Sequence, residues 1–284
     1  MSVFRWIGGA GRPEAGKAVM HPIERLRFVA RASGADQRLL VQETAGALAS
    51  FGFDPPGLVT ACRQIVARHP TAGSLWWLAS RALTAQEPVA EVWRAAAEID
   101  DDPTVDELSH ALPSDGTVGV LGWPGVVADA LPRRGDVEVL VVDVLGEGSG
   151  LVRQLQRADV EAVDVAQAGL GAVAAGADLL LVEAAAVGPD ALVAVAGSRA
   201  AAAVARHAGT PVWGVVPVGR LLPGRLWDTL TRRLDDQGDP WDLDEELVPL
   251  DLVDRLVGPA GPEPVADGLR RTDCPIAPEL FRTV

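Results

Sequence analysis

The spacing of apolar residues changes near residue 116, and no other feature of the sequence constrains the fold as strongly. Upstream, apolar residues recur at intervals of three and four, the spacing of one helix face. Downstream, short runs such as Thr117–Leu121 and Val212–Val216 are rich in β-branched residues and do not alternate with polar ones. Such strands are buried on both faces, as in a parallel sheet covered by helices. The sequence therefore predicts an N-terminal helical half followed by an α/β half.

The same patterns predict the individual elements. No strand signal appears before residue 116, and a helical pattern starts at Pro22. Thr104 is predicted to cap a helix, with Glu107 completing a capping box. The other helices of the first half are predicted at Leu58–Arg68, Leu75–Thr84 and Val89–Ile99. Strands are predicted at Thr117–Leu121, Val137–Val142, Ala162–Val165, Leu179–Val182 and Val212–Val216. The helices between them are predicted at Val126–Leu131, Gly150–Arg157, Gly169–Ala175 and Ala191–Ala208.

We predict four segments along the chain. Residues 1–20 are Gly-rich and unpatterned, which predicts a flexible tail. A helical domain is expected at residues 21–112 and a parallel-sheet domain at residues 113–260. Residues 261–284 are Pro-rich and are expected to form a C-terminal extension.

Composition excludes several classes of function. The chain has 39 acidic and 25 basic side chains and a formal charge of −14, which argues against direct nucleic-acid binding. It lacks both an apolar run long enough to span a membrane and a secretory h-region. Cys62 and Cys274 are too few for a disulfide framework, so a reduced, cytoplasmic setting is predicted. The histidines lack metal-like spacing, and no Gly-rich turn matches a dinucleotide or P-loop fingerprint. No metal or cofactor is therefore expected.

Candidate site residues lie just after the predicted strands, because parallel sheets bind ligands beyond the carboxyl ends of their strands. Gly122, Trp123 and Gly125 follow the first strand, and the glycines would let the backbone approach an anion. Gln167 follows the third strand. Glu183 ends the fourth, where it could act as a base, cap a neighbouring helix, or pair with an arginine such as Arg153 or Arg199. Three acidic residues nearer the C-terminus, which could be mistaken for a catalytic cluster, are interpreted as a solvated face: Glu246, Asp251 and Asp254.

The segment RHPTAGS, at residues 68–74, leads directly into an apolar helix. A basic side chain and free N–H groups at a helix start suit a phosphate, so Arg68, His69 and Thr71 are candidate ligand-binding residues. The alternative is an ordinary helix N-terminus capped by Thr71 or Ser74. The two tryptophans that follow, Trp76 and Trp77, have helical phase and are expected to pack in the core.

Three stretches resemble one superfamily and occur in its order. They are RHPTAGSLWWLASR, the run from GADLLLVEAAAV to TPVWGVVP, and EELVPLDLVDRLVGPAG. The superfamily contains the α, β and δ subunits of eukaryotic translation initiation factor 2B, methylthioribose-1-phosphate isomerase and ribose-1,5-bisphosphate isomerase. The resemblance implies an N-terminal helical domain, a C-terminal Rossmann-like domain and dimerisation through the latter. It also implies that the RHPTAG segment helps to hold a substrate phosphate.

The chain departs from this superfamily where the isomerases place their chemistry. The loop GVLGWPG lacks the cysteine that the isomerases carry after the first Rossmann strand. Ala185 stands where they have an aspartate, and Ala194 and Val195 stand where they have Asn and Lys. Isomerisation of a sugar phosphate needs an acid and a base within hydrogen-bond reach of the reacting carbons. The family mechanism is therefore not expected here.

These observations support three hypotheses. The preferred one is a non-catalytic, cytoplasmic homodimer that binds a small phosphorylated ligand or a protein partner. The second is a sugar-phosphate isomerase with catalytic groups rebuilt around His69, Gln167 and Glu183. The third, suggested by the likeness to initiation factor subunits, is a translation-linked regulatory subunit.

Overall fold

The computed structural model describes residues 37–51 and 54–282. The predicted flexible tail and the first part of the helical pattern, from Pro22 to residue 36, lie outside these residues. Up to residue 111 the described chain is helical and contains no strand. Its helices are α1 (Gln37–Leu48), α2 (Pro55–Arg68), α3 (Gly73–Thr84), α4 (Pro88–Asp100) and α5 (Thr104–Ala111).

Local chemistry explains where two of these helices begin. The Asp54 carboxylate accepts a hydrogen bond from the backbone N–H of Gly57 at 3.1 Å, and Pro55 occupies the first helical position of α2. The prediction that Thr104 caps α5 is wrong. Asp102 accepts hydrogen bonds from both the backbone N–H and the hydroxyl of Thr104, at 2.9 and 2.6 Å. The other oxygen of Asp102 accepts the N–H of Val218 at 2.8 Å, which ties the start of α5 to the α/β half.

The α/β half contains ten strands and six helices within the described residues. The strands are β1 (Thr117–Leu121), β2 (Glu138–Asp143), β3 (Glu161–Ala166), β4 (Leu179–Glu183), β5 (Ala186–Val187), β6 (Ala191–Val195), β7 (Val212–Val215), β8 (Glu245–Pro249), β9 (Arg255–Gly258) and β10 (Gly261–Pro264). The helices are α6 (Gly125–Ala130), α7 (Gly148–Arg157), α8 (Leu170–Gly176), α9 (Ser198–Ala208), α10 (Gly224–Asp235) and α11 (Val265–Leu269).

Seven strands form the main sheet, in the order β10-β9-β7-β4-β1-β2-β3. All neighbours are parallel except β10, which runs antiparallel to β9. The five strands predicted from the sequence are all present, with ends within one residue of the prediction. The predicted fold class, an α/β protein with an N-terminal helical region and a mainly parallel Rossmann-like sheet, is confirmed.

A second, antiparallel sheet of order β5-β6-β8 was not predicted. The prediction of a single helix over Ala191–Ala208 is wrong, because its first five residues form β6. Gly197, with a φ of +96°, turns the backbone between the end of β6 and the start of α9. The side chains of this sheet alternate between two cores: Val193 belongs to the helical core, and its neighbour Leu192 belongs to a core of the α/β half.

The helical core includes residues from distant parts of the chain. Trp76 and Trp77 are completely buried in it, as their helical phase predicts. Trp227 of α10 and Leu280 near the C-terminus belong to the same core.

The main sheet continues past residue 260, because β10 is its edge strand. The domain boundaries given above remain a prediction. Within the described ranges, no helix is long and apolar enough to cross a membrane.

Candidate functional site

The centre of the main sheet provides the position at which an α/β fold usually binds a ligand. β1 and β4 are neighbours there, while the chain continues from β1 to one side and from β4 to the other. Such a point of reversed strand order opens a crevice at the carboxyl ends of the strands. Glu183 is the last residue of β4, and α6 begins at Gly125, shortly after β1. We call this position, where Glu183 meets the start of α6, the central crevice.

Both carboxylate oxygens of Glu183 are hydrogen-bonded within the protein. Oε2 accepts the backbone N–H groups of Val126 and Val127, at 2.9 and 3.1 Å. Oε1 accepts Nη1 of Arg220 at 2.9 Å. The side chains of Glu183 and Arg220 are only 10% and 7% exposed. Glu183 therefore acts as an internal cap for α6 and as one partner of a buried ion pair.

The arginine partner of Glu183 was not identified from the sequence. The predicted pairing with Arg153 or Arg199 is wrong, because Arg153 donates to the hydroxyl of Ser149 and Arg199 lies at the start of α9. Arg220 also donates to the carbonyl of Ala184 at 2.5 Å. Arg220 lies five residues beyond the end of β7.

A second carboxyl group lies close to the ion pair. Burial raises the pKa of Glu245, and the nearby charge of Asp244 acts in the same direction. A hydrogen bond from the hydroxyl of Thr71 and the positive charge of Arg220 lower this pKa in part. Thr71 precedes α3 and Glu245 opens β8, so the cluster joins the helical half to the second sheet.

The N–H groups at the start of α3 are also bonded within the protein. The N–H of Gly73 donates to the carbonyl of Ala185 at 3.0 Å. The N–H and the hydroxyl of Ser74 donate to Oε1 of Gln37, at 3.2 and 2.6 Å. The side-chain Nε2 of Gln37 donates to the same carbonyl of Ala185, at 3.0 Å. The prediction that Thr71 or Ser74 caps α3 is wrong, because a side chain of α1 supplies the acceptor.

The other residues of the RHPTAG segment lie between α2 and α3. Arg68 is exposed in the last turn of α2, and the backbone N–H of His69 donates to Ile65 at 3.0 Å. The indole N–H of Trp76 donates to the carbonyl of Pro70 at 2.8 Å, which fixes the segment against the helical core.

The candidates on the α/β half do not all meet. Gly122 has φ of +62° and donates its N–H to Val142 at 2.9 Å, so it makes the turn after β1. Trp123 is 42% exposed and its ring lies against Gly150 in α7, where an added Cβ would be 2.5 Å from the ring. Gln167 is exposed in the turn after β3. Because β3 is three strands from β4, Gln167 is separated from Glu183 by about 14 Å.

Two of the three acidic residues near the C-terminus have structural partners. Glu246 accepts the backbone N–H of Arg199 at 2.9 Å, at the start of α9. Asp254 accepts the N–H of Val212 at 2.8 Å. Among the residues that the structure describes, no group of three or more His, Cys, Asp or Glu side chains could hold a metal ion.

Comparisons with known proteins show what the fold resembles. No protein-family model matches the sequence, and no curated protein gives a significant match. Translation initiation factor eIF-2B from Pyrococcus horikoshii is 13% identical, with a TM-score of 0.73 over 87% of this chain and 98% of that one. The eIF2B beta subunit from Chaetomium thermophilum is 16% identical, with a TM-score of 0.70 over 93% of both chains.

A third solved structure, the tetrameric eIF2B-beta2-delta2 complex from Chaetomium thermophilum, contains a chain that is 17% identical. Its TM-score is 0.71, over 87% of this chain and 91% of that one. The chain therefore has the fold of the eIF2B subunits. The resemblance predicted from the sequence is confirmed at the level of the fold.

Proposed function

We propose that this chain is a non-catalytic protein of the eIF2B and isomerase-like superfamily and that it acts by binding a protein partner. The observation that carries the proposal is the state of Glu183. Its carboxylate lies in the central crevice and already accepts three intramolecular N–H groups. Two of these belong to the start of α6, a position where backbone N–H groups favour an anion. The protein supplies that anion from its own chain.

The surrounding charges also disfavour a phosphorylated ligand. The positive charge of Arg220 is balanced by Glu183 at 2.9 Å. The hydroxyl of Thr71 is bonded to Glu245, which would repel a phosphate whenever it is ionised. The N–H groups of Gly73 and Ser74 have protein acceptors. We therefore favour the protein partner over the phosphorylated ligand.

A rebuilt isomerase site has less support. An isomerase needs an acid and a base that reach the same substrate. Glu183 would first have to give up its bonds to α6 and Arg220. Gln167, the second group proposed for such a site, lies three strands away.

The structural neighbours suggest how the chain would associate. One of them is a subunit of a complex with two beta and two delta chains. By analogy, we propose that this chain forms a homodimer in the cytoplasm. A translation-linked role would require a different protein as a further, stable partner.

Ligand binding, turnover and oligomeric state test this function together. We expect a dimer by light scattering, and no thermal shift with ribose-5-phosphate, ribose-1,5-bisphosphate, methylthioribose-1-phosphate or phosphate. A ligand at about 100 times its dissociation constant would add roughly 2.7 kcal/mol of stability, which is readily detected. Turnover of any of these sugar phosphates that is lost in Glu183→Gln would overturn the proposal. Glu246→Gln is the matched control, because Glu246 also accepts a backbone N–H at a helix start, away from the crevice.

A further inference from the structure

A separate cavity lies at the carboxyl ends of β7 and β9, and we call it the β7–β9 cavity. Its volume is about 330 Å³. Apolar residues form its walls, among them Val216, Leu221 and Leu256. Its charged lining residues are Glu263, Arg271 and Asp273. The cavity thus combines apolar walls with a few polar groups, as small-molecule sites do.

The size of the cavity suits a compact ligand. An engineered cavity of about 150 Å³ accommodates benzene. The β7–β9 cavity has about twice that volume. It can therefore hold one aromatic ring together with a short chain, and burial against Val216 and Leu256 would favour an apolar body of that kind.

The charge of the lining is one unit negative. Glu263 and Arg271 form a two-point ion pair, with Arg271 Nη2 at 2.5 Å from Glu263 Oε1, and this pair is neutral as a unit. Asp273 forms no ion pair with any described residue. It accepts one hydrogen bond through Oδ1, from the indole N–H of Trp77 at 3.0 Å. An ionised carboxylate can accept several hydrogen bonds, so Asp273 retains capacity for a further donor.

Asp273 is held in place by a rigid neighbour. Trp77 is completely buried, and the backbone at Gly219 packs against its ring so closely that an added Cβ would lie 3.1 Å away. Arg81 lies over the same ring at 4.5 Å from its centroid. Arg81 is itself paired with Glu91 and Glu98, so its charge is balanced. Asp273 itself is exposed, and one oxygen of its carboxylate is anchored by the indole N–H of Trp77 before any ligand binds, which favours affinity.

We propose that the β7–β9 cavity binds a small primary amine with an apolar body, whose ammonium group is bonded to Asp273. The amine nitrogen supplies donors to the carboxylate, while the body lies against the apolar walls. This inference is independent of the function proposed for the central crevice.

Three probes of similar shape test the proposal by isothermal titration calorimetry: 2-phenylethylamine, 2-phenylethanol and 3-phenylpropionate. We expect millimolar binding of the amine, about tenfold weaker binding of the alcohol and no binding of the carboxylate. Equal affinity for all three probes, or no binding of the amine at millimolar concentration, would overturn the proposal.

Three variants locate the site. Asp273→Asn keeps an oxygen for the indole N–H of Trp77 but removes the charge, so the affinity for the amine should fall about tenfold while that for the alcohol stays unchanged. Ala260→Phe, at an exposed lining residue, should abolish binding of both by filling the entrance. Asp242→Asn removes the same charge from an exposed loop and should change nothing. If Asp273→Asn fails to fold, Ala260→Phe alone decides, and unchanged amine binding in that variant refutes the site.

Discussion

Replacing Glu183 with glutamine is expected to lower the free energy of unfolding by about 3 kcal/mol. Removing one partner of a buried ion pair costs about 3–5 kcal/mol, because the other charge stays buried without compensation. Here that charge is Arg220, whose side chain is 7% exposed. The lower end of the range applies, since the glutamine oxygen can still accept an N–H from Val126 or Val127.

A double-mutant cycle measures whether this loss arises from the ion pair. The variants are Glu183→Gln, Arg220→Met and the double substitution, each unfolded with urea. The paired groups contact each other at 2.9 Å, so their effects should not be additive. The loss in free energy of unfolding of the double variant should be about 2 kcal/mol smaller than the sum of the two single losses. Each single variant should lower Tm by roughly 6–12 °C. Glu246→Gln, which keeps a side-chain oxygen for the exposed N–H of Arg199, should cost less than about 1 kcal/mol.

Two outcomes would refute the reasoning. A loss below about 1 kcal/mol for Glu183→Gln would mean that the carboxylate does not stabilise the crevice. Strict additivity in the double variant would mean that Glu183 and Arg220 do not interact in solution. Under either result, Glu183 would again be a candidate catalytic base.

The remaining predictions concern protonation, packing and reactivity. Burial raises the pKa of Glu245 in the folded protein. At pH values between the ordinary pKa of this carboxyl group and its raised pKa, the folded state therefore binds more protons than the unfolded state. Stability should therefore fall as pH rises through that window, and Glu245→Gln should raise Tm at neutral pH and flatten this slope, as a Tm series against pH would show. In Gly188→Ala the new Cβ would lie 2.0 Å from the ring of Trp227, so urea unfolding should show a loss of about 3 kcal/mol or more. Gly171→Ala, in α8 with open space around it, should instead gain about 0.5–1 kcal/mol. Burial raises the pKa of Cys62 to about 12, so mass spectrometry should find it unmodified after native iodoacetamide treatment and alkylated only after unfolding.

The sequence predicts the main sheet well and the second sheet poorly, for a physical reason. Strands buried on both faces appear as short apolar runs between turn signals, so β1, β2, β4 and β7 are visible in the sequence. β6 is a short, alanine-containing run followed by an alanine-rich helix, and short apolar runs fit either structure. Its pairing with β8 joins Val193 to Leu247, and such a distant contact leaves no local pattern.

The candidate site shows the same limit. The place of Glu183 at a strand end, and its possible role as a cap, follow from the local sequence. Its partner Arg220 is 37 residues away along the chain. Gln37, which caps α3, also donates to the carbonyl of Ala185, 148 residues away. The first contact forms when β4 and β7 pair in the main sheet, and the second forms when the helical half meets the segment between β4 and β5. A sequence read locally predicts the position of the carboxylate but not the groups that bind it.

The shared helical core has a consequence for synthesis on the ribosome. Trp76 and Trp77 belong to a core that is completed by Trp227 and Leu280. Roughly 200 residues separate α3 from Leu280, which takes about 10–40 s to translate. Throughout that interval the two indole rings lack part of their packing, so the nascent chain should present an apolar surface to ribosome-associated chaperones until Leu280 emerges.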